Sequence, residues 1–500
     1  MKRRHFLYQL AAACGSSVLP ISCTTKPSKP NVLFIAVDDL RPQLNCYGHQ
    51  QMISPNINRL ARGGALFTRS YCQVPVCGAS RASLLTGLRP TAERFTHAHS
   101  QAEKDAPDAI PIQAHFQNNG YYTLSNGKIY QHVTDYESGW SEPPWRPNGE
   151  WWGWQAYVTE ESFDIIRRMR EQGIKAPGPF YAVESEPAKY HALPGLGLVK
   201  SGPPTECADV ADNRYPDGML ADKVISDIER LKNFSRPFFI TAGFVKPHLP
   251  FAAPKKYWEL YKRDEIDLAD NPFRPKNAPD EALHNWNELR SYADIPKTGR
   301  LSENQARELI HGYYACVSYI DAQIGRILNA LDNYDLTKNT AIVLWGDHGW
   351  NLGEHGLWCK HCNFETSLHS PLIVHAPGVR GHLKIDALTE FVDIYPSLCE
   401  LCGIPIPDNL QGKSFVPLLE NPHIPWKEAV YSRYKNGESI KTDRYRYTEY
   451  YAENGDVTAA MLYDHDHDPQ ENNNLSQSVE HSGIVSQLSR KLRRHISNRQ

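Results

Sequence analysis

Apolar residues gather into three unbroken runs, each closed by side chains able to hold an ion. Asn31-Val-Leu-Phe-Ile-Ala-Val leads into Asp38-Asp39. Pro237-Phe-Phe-Ile-Thr-Ala-Gly-Phe-Val leads into Lys246-Pro-His248, and Thr340-Ala-Ile-Val-Leu-Trp-Gly into Asp347-His348-Gly349. A continuous apolar run bounded by turn residues reads as a strand buried on both faces, as in parallel sheets. Helical spacings alternate with these runs. Ser302-Glu-Asn-Gln305 is a capping box opening a stripe of Ile310, Tyr313, Val317, Ile320, Ile324, Ile327 and Leu331, and Asp217 to Leu231 repeats the pattern. Buried strands alternating with amphipathic helices predict a doubly wound α/β domain. Ligands in such sheets bind beyond the carboxyl ends of the strands, where the acids and imidazoles fall. Side chains alternate along a strand, so Asp38 and Asp39 can face one ion only if the chain turns there.

The pattern changes toward the C-terminus. After the linker-like Asn421-Pro-His-Ile-Pro-Trp426, three segments alternate apolar and polar residues: Ala429 to Tyr434, Tyr445 to Tyr450 and Met461 to Tyr463. They predict a small antiparallel sheet, with a helix following from about Ser482. The chain therefore divides into 1–23, 24–421 (the catalytic domain) and 422–500 (an α+β subdomain). Asp464-His-Asp-His-Asp468, next to a proline, reads as a solvated turn. Tyr136 to Tyr215 lacks periodicity and carries Trp140, Trp145, Trp151, Trp152 and Trp154. Those indoles fit a sugar-stacking wall or simple anchoring of a long insertion equally well.

Val74-Pro-Val-Cys-Gly-Ala-Ser-Arg-Ala-Ser-Leu-Leu-Thr86 carries the most specific chemistry. It places Cys77 at the head of a helix predicted to end at Gly87. Unpaired backbone N–H groups and the Arg81 guanidinium make that position attractive to an anion and to a nucleophile attacking one.

Composition narrows the address. The 500 residues carry a net charge of −3 with 41% apolar content, so nothing points to nucleic acid. Arg3-Arg4-His-Phe6-Leu7 and the alanine run behind it read as a twin-arginine export signal, too short to span a bilayer. Export to the periplasm is expected, with lipidation at Cys14 or Cys23 left open. Nothing after residue 30 reads as a transmembrane helix. Of eleven cysteines, nine follow the signal. Cys359-x-x-Cys362 and Cys399-x-x-Cys402 lie too far apart for a zinc ribbon, so packing or disulfide roles are expected. Three strands ending in carboxylates or imidazole suit a hard divalent cation.

Taken together, Val-Asp38-Asp39, Cys77-x-Ala-Ser-Arg81 with its following Leu-Thr-Gly, Gly127-Lys128, Lys246-Pro-His248 and Gly-Asp347-His348-Gly resemble type I, formylglycine-dependent sulfatases of the alkaline phosphatase superfamily. Asp347-His348 followed by Gly353-Glu-His-Gly356 is similar to the iduronate-2-sulfatase-like branch. The resemblance implies a large mixed, mostly parallel sheet flanked by helices. It implies one calcium, rather than magnesium, held by Asp38, Asp39, Cys77, Asp347 and His348. It further implies oxidation of Cys77 to Cα-formylglycine by a formylglycine-generating or anaerobic sulfatase-maturating enzyme, and attack of the formylglycine hydrate on sulfur. Arg81, Lys128 and Lys360 would meet the sulfate, and His248 would protonate the leaving oxygen. After Gly127-Lys128 the family places a histidine where this chain has Gln131, with His132 one position later. The implied substrate is a sulfated carbohydrate, a glycosaminoglycan or an algal glycan such as ulvan. A phosphodiesterase or phosphonate hydrolase of the same superfamily, and a non-catalytic glycan-binding protein, are the alternatives.

Overall fold

The computed structural model describes residues 29–147, 156–171 and 202–499. The export signal with Cys14 and Cys23, and Trp151, Trp152 and Trp154, lie outside the described residues.

The three apolar runs form neighbouring central strands. A seven-stranded sheet is built from β1 (Asn31–Val37), β2 (Ala65–Phe67), β3 (Tyr122–Leu124), β4 (Phe238–Phe244), β5 (Thr340–Gly346), β6 (Leu372–His375) and β7 (Leu383–Ile385), in the order β7-β2-β6-β5-β1-β4-β3. Its pairings are parallel except those of β6, which runs against both β5 and β2. Every residue of β1, β4 and β5 is buried. Alternate residues serve opposite cores. Leu33, Ile35 and Val37 join one cluster with Ile342 and Leu344, while Val32, Phe34 and Ala36 join another with Val343 and Trp345. Each of the larger apolar side chains contributes about 1.5–3 kcal/mol by leaving water, and Thr241, polar in the middle of β4, is satisfied by donating from Oγ1 to Leu124 O at 3.1 Å.

Helices cover both faces. The helix Cys77–Thr86 lies against the second core and ends at Gly87, whose φ of 69° provides the left-handed C-cap. The helices Pro216–Leu231 and Glu303–Asn333 cover the first core. In the latter Ser302 and Gln305 form the expected capping box, and all seven apolar residues of the stripe are buried.

A four-stranded antiparallel sheet follows: β8 (Val430–Tyr434), β9 (Gly437–Lys441), β10 (Tyr445–Tyr451) and β11 (Val457–Asp464). The helix Ser482–Asn498 packs Leu488 and Leu492 against Ile440, Tyr447 and Leu462. This sheet is stitched to the loop before Cys77, where Ser432 Oγ donates to Cys72 O at 2.6 Å and Arg433 N to Gln73 O at 2.8 Å. Lys427 reaches Glu390 Oε2 at 2.7 Å and Asp393 at 2.6 Å, and Arg89 Nη2 donates to the same Glu390 oxygen at 2.6 Å.

Two expectations are refined here. All nine described cysteines are free thiols, and Cys359, Cys362, Cys399 and Cys402 are buried, so packing rather than cross-linking is their role. The Asp464–Asp468 segment is a solvated turn only at Asp466 and His467. Asp464 is buried, and His465 Nε2 lies 3.0 Å from Glu471 Oε1. Of the indoles, Trp140 is buried and Trp145 packs partly buried against the core.

Candidate active site

Sheet register brings the three strand ends level. Val37 pairs with Phe244 on one side and Gly346 on the other, so Asp38, Val245 and Asp347 leave the sheet together. The turn needed for both acids is present, because Asp39 takes a φ of 59°, a left-handed conformation that aspartate tolerates better than most residues. Asp39 N donates to Asp347 Oδ1 at 3.0 Å, which closes the first acid pair onto the second.

Cys77 is the first residue of its helix and only 1% exposed. Its Sγ lies 3.3 Å from His348 Nε2. Arg81, one turn on along the helix, donates from Nε to Asp347 Oδ2 at 2.9 Å and from Nη1 to Ile129 O at 3.1 Å. Its Nη2 is 3.4 Å from Asp38 Oδ1, and Lys128 Nζ pairs with Asp38 Oδ2. Gly78 lets the 97–99 segment cross the helix start, since a Cβ there would meet Ala98 O at 2.2 Å. The structure thus brings all nine residues singled out by the sequence together: Asp38, Asp39, Cys77, Arg81, Lys128, His248, Asp347, His348 and Lys360.

The electrostatics of this cluster call for a cation. Ligand atoms of Asp38, Cys77, Asp347 and His348 all lie within 4.8 Å of one another, and a second such group joins Asp39, Cys77 and His248. His348 Nδ1 donates to Gly349 O at 2.9 Å, which leaves the Nε2 lone pair pointing at Asp39 Oδ1 (3.4 Å) and Asp347 Oδ1 (3.6 Å). A ring nitrogen fixed through its partner N–H is the arrangement of metal-binding histidines. Asp38 Oδ1 is buried and accepts no hydrogen bond. Burial would raise the Asp38 carboxyl, but Lys128, His248 and Arg81 outweigh it and hold it well below the usual range. Asp39 is pushed up to about 8 by burial and by the charge of Asp38, against the pull of Lys360. A divalent ion would offset the burial of a charged Asp39 and meet the Asp38 oxygen that accepts no hydrogen bond, so the residues present fit one. The Cys77 thiol is likewise driven well above its ordinary value by burial and by Asp38, and the helix-start dipole does not reverse that.

One participant is absent from the sequence motifs. Glu288 Oε1 lies 2.9 Å from Lys360 Nζ and 3.1 Å from His248 Nε2. Lys360 also stands 4.9 Å over the Trp350 ring, which floors this side of the site. Outward from Lys360 the side chains become polar and more exposed. The His361 ring packs on His284 (5.9 Å) and Tyr434 (5.8 Å), with the exposed Lys435 ammonium 5.7 Å from the Tyr434 ring. The sequence leaves the role of His132 open. Its ring packs 5.9 Å from His99, and burial with His99 and Arg146 nearby lowers it to about 4. Gln131 is buried instead, with Oε1 accepting no hydrogen bond.

A mostly parallel sheet whose strand ends crowd acids around a helix-borne cysteine defines a hydrolase of the alkaline phosphatase and sulfatase type. The chain belongs to the sulfatase family, which it matches over residues 30–404, and it is a sulfuric ester hydrolase. Residues 353–498 match the C-terminal region of N-sulphoglucosamine sulphohydrolase. It is similar to iduronate 2-sulfatase of Mus musculus, with 31% identity over 92% of this chain and 93% of that one. It is equally similar to a sulfatase of Formosa agariphila, with 31% identity over 94% and 88%. Among solved structures, the phosphonate monoester hydrolase of Agrobacterium radiobacter superimposes with a TM-score of 0.71 at 22% identity, covering 94% of this chain and 96% of that one. An enzyme solved with its substrate D-glucosamine-2-N,6-O-disulfate gives 0.70 at 21%, covering 94% and 98%. Membership of the family implies a divalent metal and a formylglycine in general terms. No described helix is long and apolar enough to cross a membrane.

Proposed function

We propose that this sulfatase cleaves O-sulfate esters on a polysaccharide or its oligosaccharides, using Cys77 oxidised to Cα-formylglycine and one calcium held by Asp38, Asp39, Asp347, His348 and the side chain at 77. The observation that carries the reading is the contact of Cys77 with His348 inside a ring of acids backed by Arg81 and Lys128. Calcium suits it better than magnesium, since a buried set of carboxylates leaves little room for the waters magnesium keeps. When present, the hydrated aldehyde would supply two hydroxyls on one carbon and the cation a positive charge beside the sulfuryl oxygens.

The chain's own residues account for the rest. Lys128 and Lys360 approach through Asp38 and Asp39 respectively and offer ammonium groups to the negative charge on the sulfuryl oxygens, while Arg81 keeps Asp38 and Asp347 in place. His248 donates from Nδ1 to Leu249 O at 2.7 Å, which directs Nε2 inward, where it can hand a proton to the leaving oxygen. The near-complete burial of Cys77, Lys128, His248 and Lys360 limits what enters to the sulfate and the sugar carbon bearing it. The rim of His284, His361, Tyr434 and Lys435 supports a glycan, since it pairs ring faces with a cation for a polyanionic chain. So do the named relatives, iduronate 2-sulfatase among them. Export to the periplasm and a maturation enzyme acting on Cys77 belong to the same proposal, the former resting on Arg3-Arg4-x-Phe6-Leu7.

The fold likeness to a phosphonate monoester hydrolase favours one second reading, cleavage of a phosphorus ester. Mass spectrometry of the Cys77 peptide from the native host, followed by side-by-side assays on an aryl sulfate and an aryl phosphodiester, tests both. Formylglycine at 77 with faster sulfate turnover is expected. An unmodified thiol sinks the nucleophile, and a faster phosphodiester rate sinks the sulfate-ester substrate.

A further inference from the structure

Glu288 has no part in the chemistry proposed above, yet it is a buried carboxylate set against two residues of the site. It lies on the short helix Asn287–Arg290, 5% exposed, with Lys360 Nζ at 2.9 Å and His248 Nε2 at 3.1 Å from the same oxygen. The support beneath it is rigid. Arg290 stacks 3.3 Å over Trp286 and donates to Asn285 O at 3.1 Å and Gly299 O at 2.7 Å.

A buried carboxylate carries a desolvation cost of several kcal/mol unless it is paired. Here the pairing looks redundant, because Lys360 is already 3.1 Å from both Asp39 oxygens. The redundancy disappears once a divalent ion claims Asp39. Lys360 then faces a cation across a shared ligand, and Glu288 becomes the acid that holds its ammonium in place. The same oxygen lies 3.1 Å from Nε2 of His248, the nitrogen that would carry the proton, while Nδ1 donates to Leu249 O at the other edge of the ring. Contacts at two edges set the plane of an imidazole.

We propose that Glu288 is a positioning residue that locks His248 and Lys360 together on the leaving-group side of the scissile bond. The inference rests on the reading of His248 as proton donor. It predicts that Glu288 matters in proportion to how much the leaving oxygen needs a proton.

The test uses full-length enzyme matured at Cys77, with rates expressed per formylglycine, on a series from 4-nitrophenyl sulfate to phenyl sulfate and 4-methoxyphenyl sulfate. Nitrophenolate departs without protonation; the others need it increasingly. With Glu288→Gln, kcat/KM for 4-nitrophenyl sulfate is expected to fall less than about tenfold and that for 4-methoxyphenyl sulfate about 100-fold, the scale of a displaced general acid. The slope of log rate against leaving-group acidity steepens accordingly. Glu288→Asp, which keeps the charge but withdraws it, gives an intermediate slope and serves alone if the glutamine variant melts early. A parallel loss across the series, or none, overturns the proposal, because a merely structural carboxylate would not discriminate among leaving groups. Formylglycine-bearing wild type inactive on every sulfate would instead remove the reading beneath it.

Discussion

Asp39 and Lys360, separated by 321 positions in the chain, meet with the ammonium 3.1 Å from each carboxylate oxygen. The lysine thus sets a positive charge directly against an acid that would also hold a divalent ion. Asp39 nevertheless stays high, near 8, because burial and Asp38 oppose its ionisation.

That carboxyl links cation binding to pH. Its folded-state value exceeds its ordinary 3.8, so the cation-free fold holds a proton that the unfolded chain lacks between about 4 and 8. The associated stability is fully present below about 4 and is lost as pH rises through about 8. Chelated protein should therefore melt at progressively lower temperature from pH 5.5 to 8, while calcium-loaded protein should not follow it. Calcium uptake at pH 7 should also release close to one proton, read by calorimetry in buffers of different ionisation enthalpy. Uptake without proton release would contradict the assignment of Asp39.

Cys77→Ala leaves no sulfur or oxygen at position 77 to be oxidised to an aldehyde. Sulfate hydrolysis is expected to fall to background while calcium still raises the melting temperature by several degrees. Residual turnover above one-hundredth of wild type would mean that another group attacks sulfur.

Gly78→Ala puts a methyl group where Ala98 O approaches to 2.2 Å. Backbone cannot yield as a side-chain tip does, so a loss of about 1–3 kcal/mol is expected, together with lower kcat as the helix start shifts. Urea titration and peptide mass spectrometry separate this from failed maturation: formylglycine should still form.

Lys427 neutralises Glu390 and Asp393, both almost fully buried. Lys427→Met leaves Glu390 paired with Arg89 and Asp393 with the backbone N–H groups of Glu390 and Lys413 only, and breaking such a buried pair costs about 3–5 kcal/mol. The melting temperature should fall steeply, with kcat per folded molecule unchanged. A fall in kcat without loss of stability would tie this cluster to the chemistry.

How much of this was legible depended on where each residue stands. Asp38, Asp39, Asp347 and His348 close apolar runs, and the parallel register of those runs makes adjacency in the sheet follow from pattern alone. Cys77 and Arg81 were legible because four residues along a helix return to one face. Glu288 was not, because it belongs to a four-residue helix reached after an irregular stretch, where Trp286 takes a φ of 32° and no periodicity points anywhere. The role of His132 was not legible for a related reason: it stands one residue beyond the family's spacing from Lys128, and its ring lies beside His99 while Gln131 is buried. The turn at Asp464–Asp468 looked solvated because its composition is polar, whereas Arg446 and Glu471 draw part of it inside.

The hairpin that carries Lys435 belongs to the C-terminal sheet, whereas the acid ring belongs to the large one. The two can therefore drift at different tempos. Descendants of this chain could exchange the side chains at that turn without touching the machinery that breaks the ester.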